Sequence, residues 1–331
     1  MSRVWFALVT VWLVWGSTYL AIAVAVAELP PLLLAGGRFL LAGLVLLGVA
    51  ALRGQLVTDG RAWAVAAASG TLLVVGGNGL VCLAEEHVAS GLAALVMATI
   101  PSLLVVGAWV TGGARPGHRV VLGLLVGFGG VAALGSAPGL PHPGWLAVLL
   151  GAATCWASGS LLLRSRALAR HGAVSLGMAF TCGGVVGLVL ALGLGQLPMG
   201  PVSPRAWWAS AYLLVFGSLV AGSAYAWLLR NAPVRLVASY AYVNPVVAVT
   251  LGALVLDEPL GVGVLAAAGL VLAGVVLVVA GPAPVSSRCG TSSQPEQAPH
   301  AGGAPPGRHP HAGGVRPGQD APAGRPRAAA G

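Results

Sequence analysis

The residues able to do chemistry stand inside stretches that are otherwise apolar. Arg38 lies about eight residues into one such stretch, roughly 12 Å from its start at the rise of an α-helix. A guanidinium at that depth in a membrane is costly, so it faces a protein interior or a wet cavity. It offers a fixed positive charge for an anionic group such as a carboxylate. The alternative is a structural ion pair with Glu85 or Glu86. Those two acids end another apolar stretch beside His87. They read either as solvated loop charges or, where one is partly buried, as a coupling group that takes up and releases protons. Asn78 sits among glycines in Gly76-Gly77-Asn78-Gly79, a composition that weakens a helix and lets carbonyls face a cavity. Close helix packing through small residues is the competing account. Tyr240 and Asn244 are four apart and share a helix face. Trp15, Ser17, Thr18 and Tyr19 lie near the middle of the first stretch. Trp15 is too deep for an interface anchor, the role read for Trp5, Trp63, Trp145, Trp207 and Trp208. It reads as an aromatic wall or as helix packing, and Trp156 matches it further on. Pro101 and Pro245 each remove a helix hydrogen bond and mark candidate hinges or static kinks.

The elements that must position these residues are membrane helices. Only 25 of the 331 residues are charged, 17 basic and 8 acidic, and 57% are apolar; the mean hydropathy is +0.89. A soluble domain carries roughly 25% charged residues. The composition therefore excludes a soluble enzyme, a disordered chain and a disulfide scaffold. Ten apolar runs approach or exceed the roughly 20 residues that cross a bilayer: 5–26, 30–52, 62–84, 88–111, 119–136, 144–163, 173–195, 206–229, 234–256 and 261–281. The fifth is short and the third and ninth are interrupted, so nine is the fallback count. The runs lack the alternation of barrel strands.

The net charge of +9 suggests nucleic acid, but the arginines form no cluster with stacking aromatics, and nucleic-acid binding is rejected. With a cytoplasmic N-terminus the arginines alternate instead. Inside loops hold Arg3, Arg53, Arg61, Arg115, Arg119, Arg164, Arg166, Arg170, Arg230 and Arg235, and outside loops hold Arg205 alone. That bias supports an even number of spans with both termini cytoplasmic. The first run exceeds a typical signal-peptide core and reads as a membrane helix. Cys82, Cys155, Cys182 and Cys289 have no metal or disulfide spacing, and neither a metal site nor a cofactor is expected. From Pro282 the chain turns rich in Gly, Pro, Ala and Ser and reads as a disordered cytoplasmic tail, with His300, His309 and His311 in an imperfect repeat.

The two halves echo each other. Trp15-Gly16-Ser17-Thr18-Tyr19 resembles Trp156-Ala157-Ser158-Gly159-Ser160, and Pro101 resembles Pro245, at offsets of 141 and 144 residues. Five spans per half is an odd number, so the second half must be inverted, which puts a substrate site at the interface between halves. The expected organisation is a first repeat at 1–136, a second at 144–281 and a tail at 282–331. The stretches VWGSTYLAIAVAVAELPPLLLAGGRFLLAGLVLL, VGGNGLVCLAEEHVASGLAALVMATIPSLL and SYAYVNPVVAVTLGALVLDEPLGVGVL resemble an EamA-domain permease of the drug/metabolite transporter superfamily. The resemblance spans about residues 4–280. It implies an all-α integral membrane protein of ten transmembrane helices in a 5+5 inverted repeat, in a bacterial inner membrane, exporting small molecules. One departure stands out. The family's acidic residue after the proline is Glu258 in the second repeat, but Ala114, followed by Arg115, in the first.

The leading reading is thus a secondary transporter moving small metabolites or drug-like compounds by alternating access, with protons as the candidate coupling ion. Its partners are a small-molecule substrate and membrane lipids, and a homodimer is a candidate assembly. The alternatives are a lipid or lipid-linked sugar flippase of the same fold, marked by a cavity open sideways, and a non-transporting sensor or assembly subunit. No Walker motif, HExxH or GxSxG is present, which argues against direct ATP use and against an enzyme.

Overall fold

Runs of Leu, Val and Ala with little charge can satisfy their backbone in lipid only as helices, and helices are what they form. The computed structural model describes residues 2–113, 115–136, 142–169, 171–198, 200–232, 234–237, 239–259 and 261–280. The proposed tail lies outside the described residues. Eight helices are long and apolar enough to cross a membrane: α1 (Arg3–Val26), α2 (Pro31–Leu52), α3 (Gly60–Glu85), α4 (Ser90–Val110), α6 (Pro143–Leu163), α7 (Val174–Gly193), α8 (Pro204–Leu228) and α10 (Val262–Ala280). Two shorter apolar helices complete the series, α5 (His118–Leu134) and α9 (Tyr240–Val255). The expected ninth run starts at 234, but there the chain makes only a single turn, Val234–Val237, before Ser239 and α9. Among the described residues there is no strand.

Short connectors set neighbouring helices antiparallel, and local chemistry fixes their ends. Pro31, Pro143 and Pro204 occupy first-turn positions of α2, α6 and α8, where a missing N–H is harmless. Asp59 caps α3 through the amide of Arg61 (2.9 Å). Gly195, at φ +67, closes α7 in a conformation that favours glycine. It thereby brings the Gln196 side chain to accept from the amide of Leu32 at the start of α2 (3.0 Å).

Packing pairs helices across the halves. The most extensive contact is α2 with α7, then α5 with α10. Small residues bring these backbones together: a Cβ on Gly43 would run into the amide of Thr181, and one on Gly184 into the amide of Leu40. Phe39 and Phe180 meet edge to face at the same crossing, 4.7 Å between centroids. α1 packs on α9 and α8, while α6 packs on α4 and α3.

Two helices depart from α geometry. α3 becomes a π-helix over Thr71–Gly79 and α8 over Leu213–Val220, equivalent segments 142 residues apart. π segments are rare and concentrate at functional sites. α4 is interrupted at Ala98–Thr99, and Pro101 then stands in the first turn of Ile100–Val110. The expectation that Pro101 removes an interior hydrogen bond is corrected accordingly, because the break precedes it. Pro245 does lie inside its helix.

Candidate functional site

The π segments and the tryptophans build the walls of a central cavity of about 140 Å³. The Trp15 indole N–H of α1 donates to the carbonyl of Gly217 in the α8 π segment (3.1 Å). Trp156 of α6 packs against Gly77 in the α3 π segment, where a Cβ would lie 2.9 Å from its ring. Each tryptophan thus closes on a glycine in the other half. Thr18, Tyr19, Tyr240 and Asn244 also line the cavity, as expected of residues that cannot face lipid. The Asn244 amide, oriented to satisfy its neighbours, donates to the carbonyls of Tyr240 and Trp12 (3.1 Å each) and ties α9 to α1. Ser17 does not line the cavity. Its hydroxyl is taken up by Tyr212 (2.6 Å) and by backbone carbonyls of its own helix, which corrects its expected part in the wall.

Arg38 supplies the charge. It is 8% exposed and lines the cavity. Its Nη2 donates to Oδ1 of Asn78 (2.6 Å), while Nε and Nη1 are buried without a partner. The Phe39 ring lies 4.4 Å from its guanidinium carbon. The alternative of a structural ion pair with Glu85 or Glu86 is not met: neither carboxylate bonds Arg38. Leaving two N–H nitrogens unpaired in an interior is unfavourable by about 1–3 kcal/mol each, and more for a charged group. Arg38 thus presents two donor nitrogens at the cavity that no protein acceptor among the described residues satisfies.

Glu85 and Glu86 part company. Glu85 is 7% exposed, so the solvated-loop reading is corrected for it: burial against α1 brings its carboxylate to the backbone of Ala23. Its charged neighbours are Glu258 and Arg38. Glu86 is exposed and fits the loop reading. Partial burial raises its proton affinity, and His87 beside it opposes that effect. The His87 ring stacks on Trp145, 4.1 Å between centroids.

From Arg38 the cavity extends toward the opposite end of the bundle. Its lining runs from Arg38 and Asn78 to Leu163, Leu176, Tyr225 and Tyr240, which lie where α6 and α8 end and α7 and α9 begin. At the Glu85 end, three side chains clasp one half to the other. Gln196 caps α2, as described. Glu28 accepts from both the amide and the hydroxyl of Ser203 (2.6 Å each), the residue that caps α8. Glu258 accepts from the amides of Ser90 (2.7 Å) and Gly91 (3.2 Å) at the start of α4. A carboxylate there completes the orphan amides and complements the helix dipole.

Tyr225 was not singled out from the sequence, yet it completes an aromatic trio. It lies 4.9 Å from Trp15 and 5.7 Å from Tyr240, with Trp15 and Tyr240 5.3 Å apart. Its hydroxyl hydrogen-bonds Tyr240 and Arg164 at the far end from Glu85.

This arrangement has recognisable relatives. The uncharacterized inner membrane transporter YedA of Escherichia coli (strain K12) is 37% identical over 277 residues, covering 83% of this chain and 90% of that protein. The uncharacterized transporter YvbV of Bacillus subtilis (strain 168) is 26% identical over 272 residues, covering 80% and 88%. A crystal structure at 22% identity, covering 84% of this chain and 96% of the other, superposes with a TM-score of 0.61 and shows a shared fold. The EamA-like transporter family matches twice, over residues 3–136 and 143–280. The chain is a multi-pass inner-membrane transporter and belongs to the EamA-like transporter family.

Proposed function

We propose that this protein is a secondary transporter that exports small amphipathic molecules bearing an anionic group, by alternating access. The observation that carries this reading is the buried Arg38 guanidinium, with two unpartnered nitrogens in a cavity shared by both halves. A carboxylate offers two acceptor oxygens to such a fork. The aromatic wall of Trp15, Trp156 and Tyr240 takes the apolar body, as mixed pockets do.

Alternating access draws its support from symmetry. Two family matches, two π segments 142 residues apart and the pairings α2–α7 and α5–α10 fit a 5+5 inverted repeat of ten spans. Under the arginine bias, the clasped end is extracytoplasmic and the cavity opens to the cytoplasm. Release to the outside then requires the Glu28, Gln196 and Glu258 clasps to part. Glu85, buried between the clasps and Arg38, is the group placed to carry a proton during that step. Pro101 and Pro245 stand where α4 and α9 would flex.

The test is uptake and efflux of radiolabelled monocarboxylates and amino acids in proteoliposomes, with and without a pH gradient. Arg38→Gln should abolish saturable flux, and Glu85→Gln should remove its pH dependence. Wild-type flux in Arg38→Gln with a lowered melting temperature would make Arg38 structural and overturn the reading.

A further inference from the structure

A second cavity opens sideways. It is a groove of about 520 Å³ between α9 and α10, with Leu95 of α4 at its floor. Its wall is apolar: Val246, Val249, Leu254 and Leu265 line it, and the single hydroxyl, Thr250, is satisfied by the carbonyl of Val246 (2.7 Å). Val246, Leu254 and Leu265 are 52%, 75% and 52% exposed, so the groove faces the bilayer. Its origin is the packing of α10, which presses on α5 through Gly274 and Val271 and touches α9 only slightly. A Cβ on Gly269 would meet nothing within 4 Å, so nothing in the fold fills this space.

One residue belongs to both spaces. Pro245 lines the central cavity and the groove alike, so the partition between them is one residue thick there. Proline has no N–H, so the carbonyl of Ala241, which also lines the central cavity, lacks its usual helix donor. The partition is thus also the point at which α9 bends most easily. The groove adds apolar room beyond Pro245: about 520 Å³ of space walled by aliphatic side chains continues from the wall of the central cavity.

We propose that the α9–α10 groove holds the hydrocarbon tail of a single-chain anionic amphiphile whose head sits at Arg38, and that such substrates pass between bilayer and cavity past Pro245. This rests on the Arg38 reading above and adds the substrate class and its route. The surroundings favour this occupant: a tail leaving an aromatic cavity for a lipid-facing apolar groove never meets water.

The experiment measures binding of decanoate and butyrate to the full chain in nanodiscs. It is paired with photolabelling by a decanoate analogue carrying a terminal diazirine, mapped by mass spectrometry. The variants are Gly269→Trp, which fills the groove where the structure is open, and Arg38→Gln. Gly269→Trp should weaken decanoate binding by about tenfold or more, equivalent to about 1.4 kcal/mol, and leave butyrate binding unchanged. Labelling should concentrate on Val246, Ala253 and Leu265 and be competed by unlabelled decanoate. Two results overturn the proposal: unchanged decanoate binding in Gly269→Trp, or labelling spread equally over Val189 and Leu192 of the opposite lipid-facing surface. If instead Arg38→Gln leaves both ligands bound as before, the Arg38 reading itself has failed, and the groove proposal fails with it. The two failures are therefore distinguishable.

Discussion

The clasp of Glu258 on α4 can be removed one atom set at a time, and its value follows from the structure. The carboxylate accepts from Ser90 at 2.7 Å and from Gly91 at 3.2 Å, at the first turn of a 21-residue helix. A good cap is worth about 0.5–2 kcal/mol, and a negative charge on the helix dipole about 0.3–1 kcal/mol. The two overlap, and Glu258 is only half-buried, so removal should cost about 1–2 kcal/mol. At about 2–4 °C per kcal/mol for larger domains, Glu258→Ala should melt roughly 2–8 °C below wild type. The assay is a thermal melt of detergent-solubilised protein read by tryptophan fluorescence. Glu258→Gln should be nearly as costly, because its amide nitrogen would face the Gly91 N–H donor to donor. Gly252 supplies an independent check. A Cβ there would run into the Glu258 carboxylate, so Gly252→Ala must displace it. The double variant Gly252→Ala/Glu258→Ala should then lose much less than the sum of the singles. Additive losses, or Glu258→Ala melting within about 1 °C of wild type, would refute the cap.

Three further outcomes are expected. Glu28 is held below the ordinary carboxylate range by the Ser203 hydroxyl and amide, with Arg205 in support. A depressed folded value means its stabilisation is present above the unfolded carboxylate range and lost as pH falls through the folded one. The melting difference between wild type and Glu28→Gln should be full at neutral pH and close on acidification. Gly43→Val forces α2 from α7 and should destabilise by about 1–3 kcal/mol as overpacking, read as loss of the monodisperse peak on size exclusion; Gly48→Ala, with open space around it, should be neutral or stabilising. Asn78→Asp gives Arg38 a carboxylate of its own, so monocarboxylate affinity should fall about tenfold with the fold retained; wild-type affinity would show that Arg38 does not hold the anion.

The legible part of this fold follows from the medium. Apolar runs in lipid must be helices, and polar groups at depth must face protein. That is why Arg38, Asn78, Thr18, Tyr19, Tyr240 and Asn244 could be read as one lining from their positions alone. The illegible part depends on which distant partner a group finds. Ser17 is as polar and as deep as Thr18, but Tyr212 happens to stand opposite it. Glu258 was legible as a family motif, yet its target in the other half's α4 is set by tertiary packing, as is the burial that separates Glu85 from its neighbour Glu86. The π segments share no compositional mark: the glycines around Asn78 in Thr71–Gly79 have no equivalent run in Leu213–Val220, and what the two have in common is hydrogen-bond register.

Symmetry of frame and asymmetry of charge have one physical cause. At an offset of 141 residues, Trp15 matches Trp156 and Phe39 matches Phe180, while Arg38 matches Ala179 and Asn78 matches Leu219. Ala179 is fully buried, and its carbonyl lies where a Cβ on Gly70 would go, so α3 and α7 touch backbone to backbone there. No guanidinium fits that crossing. On the other side, Arg38 borders a space left by the Gly-rich π segment around Asn78. Under the proposed alternating access, a rocking frame needs matched halves, while the proposed single anion needs one cation. The close approach at Gly70 keeps the second half tight, and the positive charge can then stand only in the first.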